Sequence, residues 1–394
     1  MKTRRLIALL LIVLLSGLAV AQETNRRLEA FRENFRDGSQ PIKLQILQQA
    51  GEQPQGEMGP LYGDALDYVL SNSASLQNDA ILQEIASLTI DGLVASSQTD
   101  SLENLWLLFE EYRDIQARQR ILASLAELGQ GDEQTVFFVN GWVQAQNNLK
   151  RAGTIPDLQV MFAAIQAIDE LNDPTSFPVL VDTILVQHSA RISEASRSAL
   201  FGLDTDPVVR ANEMIADRNA QDKLPVLEFF LEADELSEEQ RAEIALATLQ
   251  DALSITTRSV VIVRELRHVR YRAVDYLREQ EYPPASTALI SHFNDIFLAY
   301  DRGQVRKVYV LDAIAALGTV GTEEASQRLA DFLDLLNTYT ENDRPYDTEI
   351  TMATILNLDQ LGHPVAYDSL FYASLLDYPA QVKDAAREAM AAIQ

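Results

Sequence analysis

Few side chains in this 394-residue sequence are suited to catalysis. It contains no cysteine, and its four histidines are His188, His268, His292 and His363. Without cysteine, disulfides, thiolate metal sites and cysteine nucleophiles are excluded. Glu265 and His268 have the Glu-x-x-His spacing that di-iron bundles use in pairs, but the sequence has no second copy. P-loop and Gly-x-Ser-x-Gly motifs are also missing. We therefore predict a protein that is not an enzyme, with no catalytic residue, cofactor or metal site.

A cluster of arginines is the candidate binding feature. Residues 258–278 contain six arginines and two carboxylates, whereas the whole chain has a formal net charge of −26. Steps of three residues place Arg264, Arg267 and Arg270 near one face of a helix. Because guanidinium groups bind carboxylates through paired hydrogen bonds, these three and Arg272 are candidates for contact with an acidic peptide or another anion. The favoured interpretation is that they pair with carboxylates of the chain itself.

Acidic residues predominate elsewhere. The chain has 58 Asp and Glu against 32 Lys and Arg, and residues 228–243 alone carry seven carboxylates beside Arg241. Such a chain repels a polyanion, so we expect no nucleic-acid partner. The acidic segment is interpreted as a solvated helical face, with a docking surface for a basic partner as the alternative.

The first residues have the pattern of a secretory signal peptide. A basic start is followed by the apolar run 6–15 and by Ala19-Val20-Ala21, with small residues at the positions that a signal peptidase requires. We predict cleavage after Ala21 and a periplasmic or secreted protein that is not embedded in the membrane. An uncleaved anchor is the alternative, but the apolar stretch is shorter than the roughly 20 residues that span a bilayer. The lack of cysteine and of glycan acceptors favours a bacterial periplasm.

The rest of the chain is predicted to be helical. Val310, Leu311, Ile314 and Leu317 lie on one helical face, and Gly318 is expected to end that helix with a positive φ. The β-branched run 260–263 is predicted to belong to a buried helix. Helix starts are predicted at four sites with capping residues: Asp173-Pro174, Asp206-Pro207, Ser237–Gln240 and Thr322.

Helix patterns recur along the chain. Leu-Gly or Leu-Asn pairs end helices at Leu128, Leu171, Leu317 and Leu361, at spacings of 43 and 44 residues within each half. Periods of about 40–47 residues with two helices each are typical of helical repeat arrays. A hairpin of this length cannot cover its own apolar face, so neighbouring copies must stack.

Residues 305–333 resemble a HEAT repeat. They have a Val305-Arg306 opening, an alanine-rich face, a Leu-Gly end and a second helix with a Gly-x-x-x-Ala start, and residues 206–210 have a similar opening. The resemblance to HEAT and armadillo-type proteins implies an all-α fold, an α-α superhelix of about 7–9 helical hairpins. The predicted organisation is a signal peptide (1–21) and a single repeat domain (22–394), with divergent repeats over 40–110 and HEAT-like repeats over 110–394.

Three functions are compatible with these patterns. The first is a non-catalytic exported scaffold or adaptor that binds a protein or extended peptide on its curved helical surface. The second is a hydrolase of an envelope polymer, with paired carboxylates on an α-helical toroid. A third, suggested only by the acidic charge, is an envelope protein that depends on divalent ions. The sequence favours the scaffold because it lacks a reactive constellation.

Overall fold

A computed structural model describes residues 23–54, 56–344 and 346–393. All regular secondary structure in these ranges is helical, which confirms the all-α prediction. Within the same ranges no helix is long and apolar enough to cross a membrane. The predicted signal peptide, 1–21, lies outside the described residues. The chain divides into two compact units, of which unit 1 ends at Thr205 and unit 2 begins at Asp206.

Unit 1 is built of two layers of helices. Helices α2, α5, α7, α9 and α11 pack side by side in sequence order, and α3, α6, α8 and α10 form the second layer. Residues 23–37 are helical (α1), and the other bounds are α2 (Gln40–Gly51), α3 (Gly59–Ser71), α4 (Ser73–Leu76), α5 (Ala80–Ala95), α6 (Leu102–Glu111), α7 (Ile115–Leu128), α8 (Glu133–Arg151), α9 (Leu158–Leu171), α10 (Phe177–Val186) and α11 (Ala190–Gly202).

Unit 2 has the same arrangement. Its first layer is α13, α15, α17, α19 and α21, and its second is α12, α14, α16, α18 and α20. Hairpin follows hairpin in sequence order within each unit, which confirms the predicted α-α superhelix class. The bounds are α12 (Pro207–Asp217), α13 (Ala220–Leu231), α14 (Glu238–Ser254), α15 (Val260–Glu279), α16 (Ser286–Asp301), α17 (Lys307–Thr319), α18 (Glu323–Glu341), α19 (Thr348–Leu361), α20 (Tyr367–Leu375) and α21 (Ala380–Ile393).

The predicted helix starts are confirmed, although Asp173 caps a 3₁₀ turn (Pro174–Ser176) that leads into α10 at Phe177. The Asp206 carboxylate accepts a hydrogen bond from the backbone N–H of Val208 at 2.9 Å. Ser237 and Gln240 form a reciprocal capping box, in which each side chain accepts from the other residue's backbone N–H. Thr322 caps α18 through its hydroxyl oxygen. Each cap satisfies backbone donors that a helix otherwise leaves unpaired in its first turn.

The two units repeat one another in element order and in their helix ends. Helix α9 follows the N-cap Asp157 and ends at Asn172 in the left-handed conformation, and α19 follows Asp347 and ends at Gly362 in the same conformation. A short 3₁₀ turn that begins with proline, then a helical hairpin, follows in both units. Corresponding positions lie 190 residues apart in this part of the chain (172 and 362). The shared order of the described helices, in which only α4 lacks a counterpart in unit 2, thus indicates an internal tandem duplication.

Buried polar bonds are also duplicated. Asn147 is fully buried, and its Oδ1 accepts a hydrogen bond from Nε2 of His188 at 2.7 Å. Its counterpart Asn337 is equally buried and accepts from the Tyr378 hydroxyl at 3.2 Å. A histidine in unit 1 and a tyrosine in unit 2 thus donate to equivalent buried asparagine oxygens. Without a donor, each oxygen would carry a desolvation penalty.

Each unit has a buried lysine in its first helical hairpin. Nζ of Lys43 donates to carbonyl oxygens in the last turn of α1, and Nζ of Lys223 does so to the last turn of α12. Lys223 also forms an ion pair with Asp251 at 2.8 Å. A helix leaves its last carbonyls without intrahelical partners, and a lysine nearby satisfies them. The two lysines show that the duplication reaches the first hairpin of each unit.

The expected role of Gly318 is wrong. Helix α17 continues to Thr319, and Gly318 does not have a positive φ. A Cβ at position 318 would lie 2.7 Å from the Cβ of Asn357 on α19. Glycine is therefore required because α17 and α19 approach closely there, and the left-handed backbone falls on Gly321 instead.

Replacing Gly318 with alanine should lower the free energy of unfolding by about 1–3 kcal/mol, because the added methyl group overpacks the contact with α19. The urea midpoint of the full chain measures this loss. The double variant Gly318→Ala/Asn357→Ala should regain part of it, since the Oδ1 and Cγ atoms of Asn357 are removed while its Cβ remains at 2.7 Å. An unchanged midpoint for Gly318→Ala would contradict the close approach.

Candidate binding site

The arginine cluster lies on α15, a helix of 20 residues in unit 2. Ser259 caps its first turn, and its buried stripe packs against α13, α14 and α17. The arginines flank this stripe on both sides, so they face two different clefts. The buried apolar residues of the stripe are Leu266, Val269, Ala273, Val274 and Leu277.

The first cleft, called here the basic cleft, has a volume of about 470 Å³. It lies between α15, α16, the end of α14 and the non-helical residues 255–259. Its charged side chains are three arginines and one carboxylate, so its formal charge is positive in a strongly acidic chain. They are Arg267, Arg270, Arg302 and Asp295.

The guanidinium groups of the basic cleft differ in their partners. Arg270 is only 8 % exposed and donates from Nη1 to Asp295 at 2.7 Å. Arg267 and Arg302 form no ion pair with any carboxylate in the described ranges. The Nε atoms of Arg267 and Arg270 are buried and have no hydrogen-bond partner there. The cleft thus holds guanidinium donors that the fold itself does not satisfy.

Only part of the predicted arginine set is brought together. Arg267 and Arg270 share the basic cleft, whereas Arg264 is exposed and bonds to Glu265 at 2.8 Å. Arg272 lines the cleft on the other side of α15. Sequence reasoning missed Arg302, because nothing in local spacing indicates that the end of α16 lies beside the start of α15.

The first turn of α15 is helical but exposed, so the predicted burial of residues 260–263 is wrong for most of the run. Val260 is 83 % exposed, Val261 47 % and Ile262 38 %. The buried stripe begins only at Leu266, and residues 255–259 before the helix are non-helical, so no helix of the described ranges covers this turn. Exposed apolar side chains therefore lie on the same helix as the basic cleft.

The second cleft, called here the tyrosine cleft, has a volume of about 370 Å³ and is lined by α13, α15, α16 and α17. Tyr271 and Tyr309 stack in it with ring centroids 4.3 Å apart and planes 4° apart. The His292 ring also lines it and is only 1 % exposed. Charged residues of both signs complete the walls: Glu228, Arg272, Asp275, Arg278 and Asp312.

Burial governs the protonation of this cleft. It lowers the pKa of His292 to about 3, with a further contribution from the positive charge of Arg270. Burial also raises the pKa of Tyr271 to about 12. The pKa of Asp312 is raised by burial and, to a smaller extent, by Asp275, while Arg278 opposes the shift. The imidazole and the phenol are thus both neutral at physiological pH.

Comparison of the chain with models of protein families and with curated proteins finds no match. The part of the chain that the structure describes contains no group of three or more His, Asp or Glu side chains able to hold a metal ion. Charge, burial and shape in the two clefts of unit 2 are therefore the observations that bear on function.

His292 should make stability depend on pH. In the unfolded chain its imidazole binds a proton near pH 6.5, but in the folded chain it stays neutral down to about pH 3. Its contribution to stability is full above pH 6.5 and is lost as the pH falls from there toward 3. Between pH 7.5 and 5 the native chain should therefore lose about 2 kcal/mol more stability than His292→Leu.

Urea denaturation of both chains at the two pH values measures this difference. Buried His188, whose pKa is also lowered by burial, is present in both chains, so its contribution cancels. Equal losses in the two chains would show that His292 binds a proton in the folded state.

Proposed function

We propose that this protein is an exported, non-catalytic scaffold of HEAT-like helical repeats that binds an extended acidic peptide segment of a partner protein on unit 2. The observation that supports the proposal is the basic cleft, where Arg267 and Arg302 have no carboxylate partner in the described ranges. The partner's carboxylates would supply the acceptors that these donors lack.

Charge and burial favour a carboxylate ligand. Guanidinium groups bind carboxylates through two parallel hydrogen bonds, and such bonds strengthen where water is excluded. The Nε atom of Arg267 is already buried without a partner, so its desolvation has taken place before the ligand arrives. The ligand therefore gains the bond without that part of the usual cost of binding.

Exposed apolar side chains favour a ligand that is also partly apolar. Ile255 and Leu298 line the basic cleft and are 37 % and 47 % exposed. The uncovered first turn of α15 adds Val260 and Val261. An extended segment points alternate side chains to opposite sides, so alternating acidic and apolar residues would reach both sets.

The sequence supports export and the repeat family. The basic start, apolar run and Ala19-Val20-Ala21 form the signal pattern, and residues 305–333 resemble a HEAT repeat. The proposed location is the periplasm or the medium outside the cell.

The hydrolase alternative stays a prediction with weaker support. Asp275 and Asp312 both line the tyrosine cleft, but Asp275 accepts a 2.6 Å hydrogen bond from Arg278 and lies 4.0 Å from Arg272. The hydrogen bond to Arg278 already occupies this carboxylate, so it is not placed to act on a substrate.

Export is tested by expressing the full chain in a bacterium and sequencing the N-terminus of the protein from the periplasmic fraction. The sequence should begin at Gln22. The variant Ala21→Phe should keep its leader, because the residue before the cleavage site must be small. A cytoplasmic chain that retains Met1 would contradict export.

Peptide binding is tested by selecting a random phage-displayed peptide library on the immobilised full chain. Peptides that alternate Asp or Glu with apolar residues should be enriched. Their dissociation constants, measured by fluorescence anisotropy, should rise about tenfold or more in Arg267→Ala/Arg302→Ala. Arg270 is left unchanged because it is itself buried and pairs with Asp295, so its loss would disturb the fold.

Arg264→Ala is the matched control, since Arg264 lies on the same helix but outside the cleft. It should bind like the native chain, and circular dichroism should show both variants folded. Enrichment of basic peptides, or native affinity in the double variant, would overturn the proposal.

A further inference from the structure

We propose that the tyrosine cleft of unit 2 is a separate binding site for a neutral saccharide. It is separate from the basic cleft: the two lie on opposite sides of α15 and share no lining residue. The proposal rests on different residues, and it holds or fails independently of peptide binding.

The duplication shows that the fold does not require the stacked tyrosines. The buried stripes of α15 and α5 match at a separation of 184 residues, from Leu266 and Leu82 to Leu277 and Leu93, so Tyr271 corresponds to Ser87. Tyr309 lies eight residues before Leu317, and Arg120 lies eight before Leu128. The Arg120 guanidinium donates to the Ser87 hydroxyl and also lies 3.7 Å from Asp91. Unit 1 thus has an exposed polar contact, Arg120 with Ser87, where unit 2 has two stacked aromatic rings.

The floor of the cleft differs in the same way. His292 is the seventh residue of α16, and the seventh residue of α6 in unit 1 is Leu108, which is fully buried. A leucine satisfies this position with apolar contacts alone. The histidine instead brings a polar ring into the core at the point where the cleft reaches it.

Unpaired polar atoms lie at this floor. His292 Nδ1 and the Tyr271 hydroxyl are buried and have no hydrogen-bond partner among the described residues. Both groups are uncharged at physiological pH, because burial lowers the pKa of the histidine to about 3 and raises that of the tyrosine to about 12. A neutral imidazole and a phenol can each donate and accept, as a sugar hydroxyl also can.

The walls disfavour a ligand with net charge. Glu228 and Asp312 would repel an anion, and Arg272 would repel a cation. Arg278 is already bonded to Asp275 at 2.6 Å, so this pair offers little net charge. Hydroxyl groups can bond to lining side chains of either charge, since they donate to carboxylates and accept from guanidinium groups.

Shape and aromatic surface complete the argument. The cleft, at about 370 Å³, falls near the lower end of the range of about 300–1,000 Å³ usual for small-molecule sites. One or two sugar rings are suited to that space. Tyr271 and Tyr309 supply a rigid apolar surface with polar tips, against which the C–H face of a pyranose can pack.

The first experiment screens the full chain against an array of neutral and charged mono- and disaccharides and against free amino acids. The strongest neutral sugar is then titrated by isothermal calorimetry. Tyr309→Ala should weaken its binding by about tenfold, because the stacking surface is lost. His292→Leu, which installs the residue of unit 1, should weaken it to a similar extent.

Two controls separate this site from other effects. Tyr339→Ala removes a tyrosine that stacks on Tyr346 outside the cleft, at a centroid distance of 5.8 Å, and should leave sugar binding unchanged. Arg267→Ala should also leave it unchanged, which distinguishes this site from the basic cleft. Circular dichroism identifies any variant that fails to fold. If Tyr309→Ala does not fold, the affinity of His292→Leu for the sugar decides the test.

Three results would overturn the proposal. They are the absence of binding to any neutral sugar on the array, binding only to charged sugars or amino acids, and native affinity for the neutral sugar in the folded cleft variants.

Discussion

The structure depends on the burial of apolar helix faces between successive hairpins. A hairpin of about 40 residues cannot hide its own apolar surface, so it is stable only against neighbours. In unit 2 the contact is dense: Phe293 of α16 meets Phe332 of α18 edge to face at 5.1 Å, and the small Gly318 lets α17 and α19 approach. This stacking decides which helix surfaces remain open. The flanks of α15 and its first turn are such surfaces, and both clefts lie there.

Comparison of the two units shows which interactions between the stacked hairpins are kept. Several buried apolar positions keep a hydrophobic residue in both units, such as Leu82 with Leu266 and Ile85 with Val269. Buried polar groups are different, because each needs a partner at hydrogen-bond distance. The bond to Asn147 comes from His188 and the bond to Asn337 from Tyr378, yet the acceptor is kept in both units. Lys43 and Lys223 likewise satisfy the carbonyls at the end of the preceding helix.

The sequence predicted those features that are set locally. Helical periodicity and capping residues were sufficient for the fold class and for starts such as Asp206 and Ser237. Features that depend on packing between helices could not be predicted from the sequence. Gly318 faces Asn357 rather than ending a helix. Val260 is exposed because no helix of the described ranges covers it. The 190-residue repeat is present in the spacing of the helix ends, but the shorter period of about 40 residues conceals it. Arg302 joins the candidate site only through the packing of α16 on its neighbours.

The comparison between the units also explains why the unpaired polar atoms and exposed apolar side chains of unit 2 indicate binding. An unpaired buried donor or acceptor costs about 1–3 kcal/mol, and exposed valines gain nothing from burial. Unit 1 shows that the same architecture can avoid one of these costs, because Leu108 takes the place of the buried His292. It can also place a polar contact, Arg120 with Ser87, where unit 2 has stacked tyrosines. Stability alone therefore does not account for the polar floor and aromatic wall of the tyrosine cleft. A ligand that pairs with these groups would recover the free energy that the fold leaves unused.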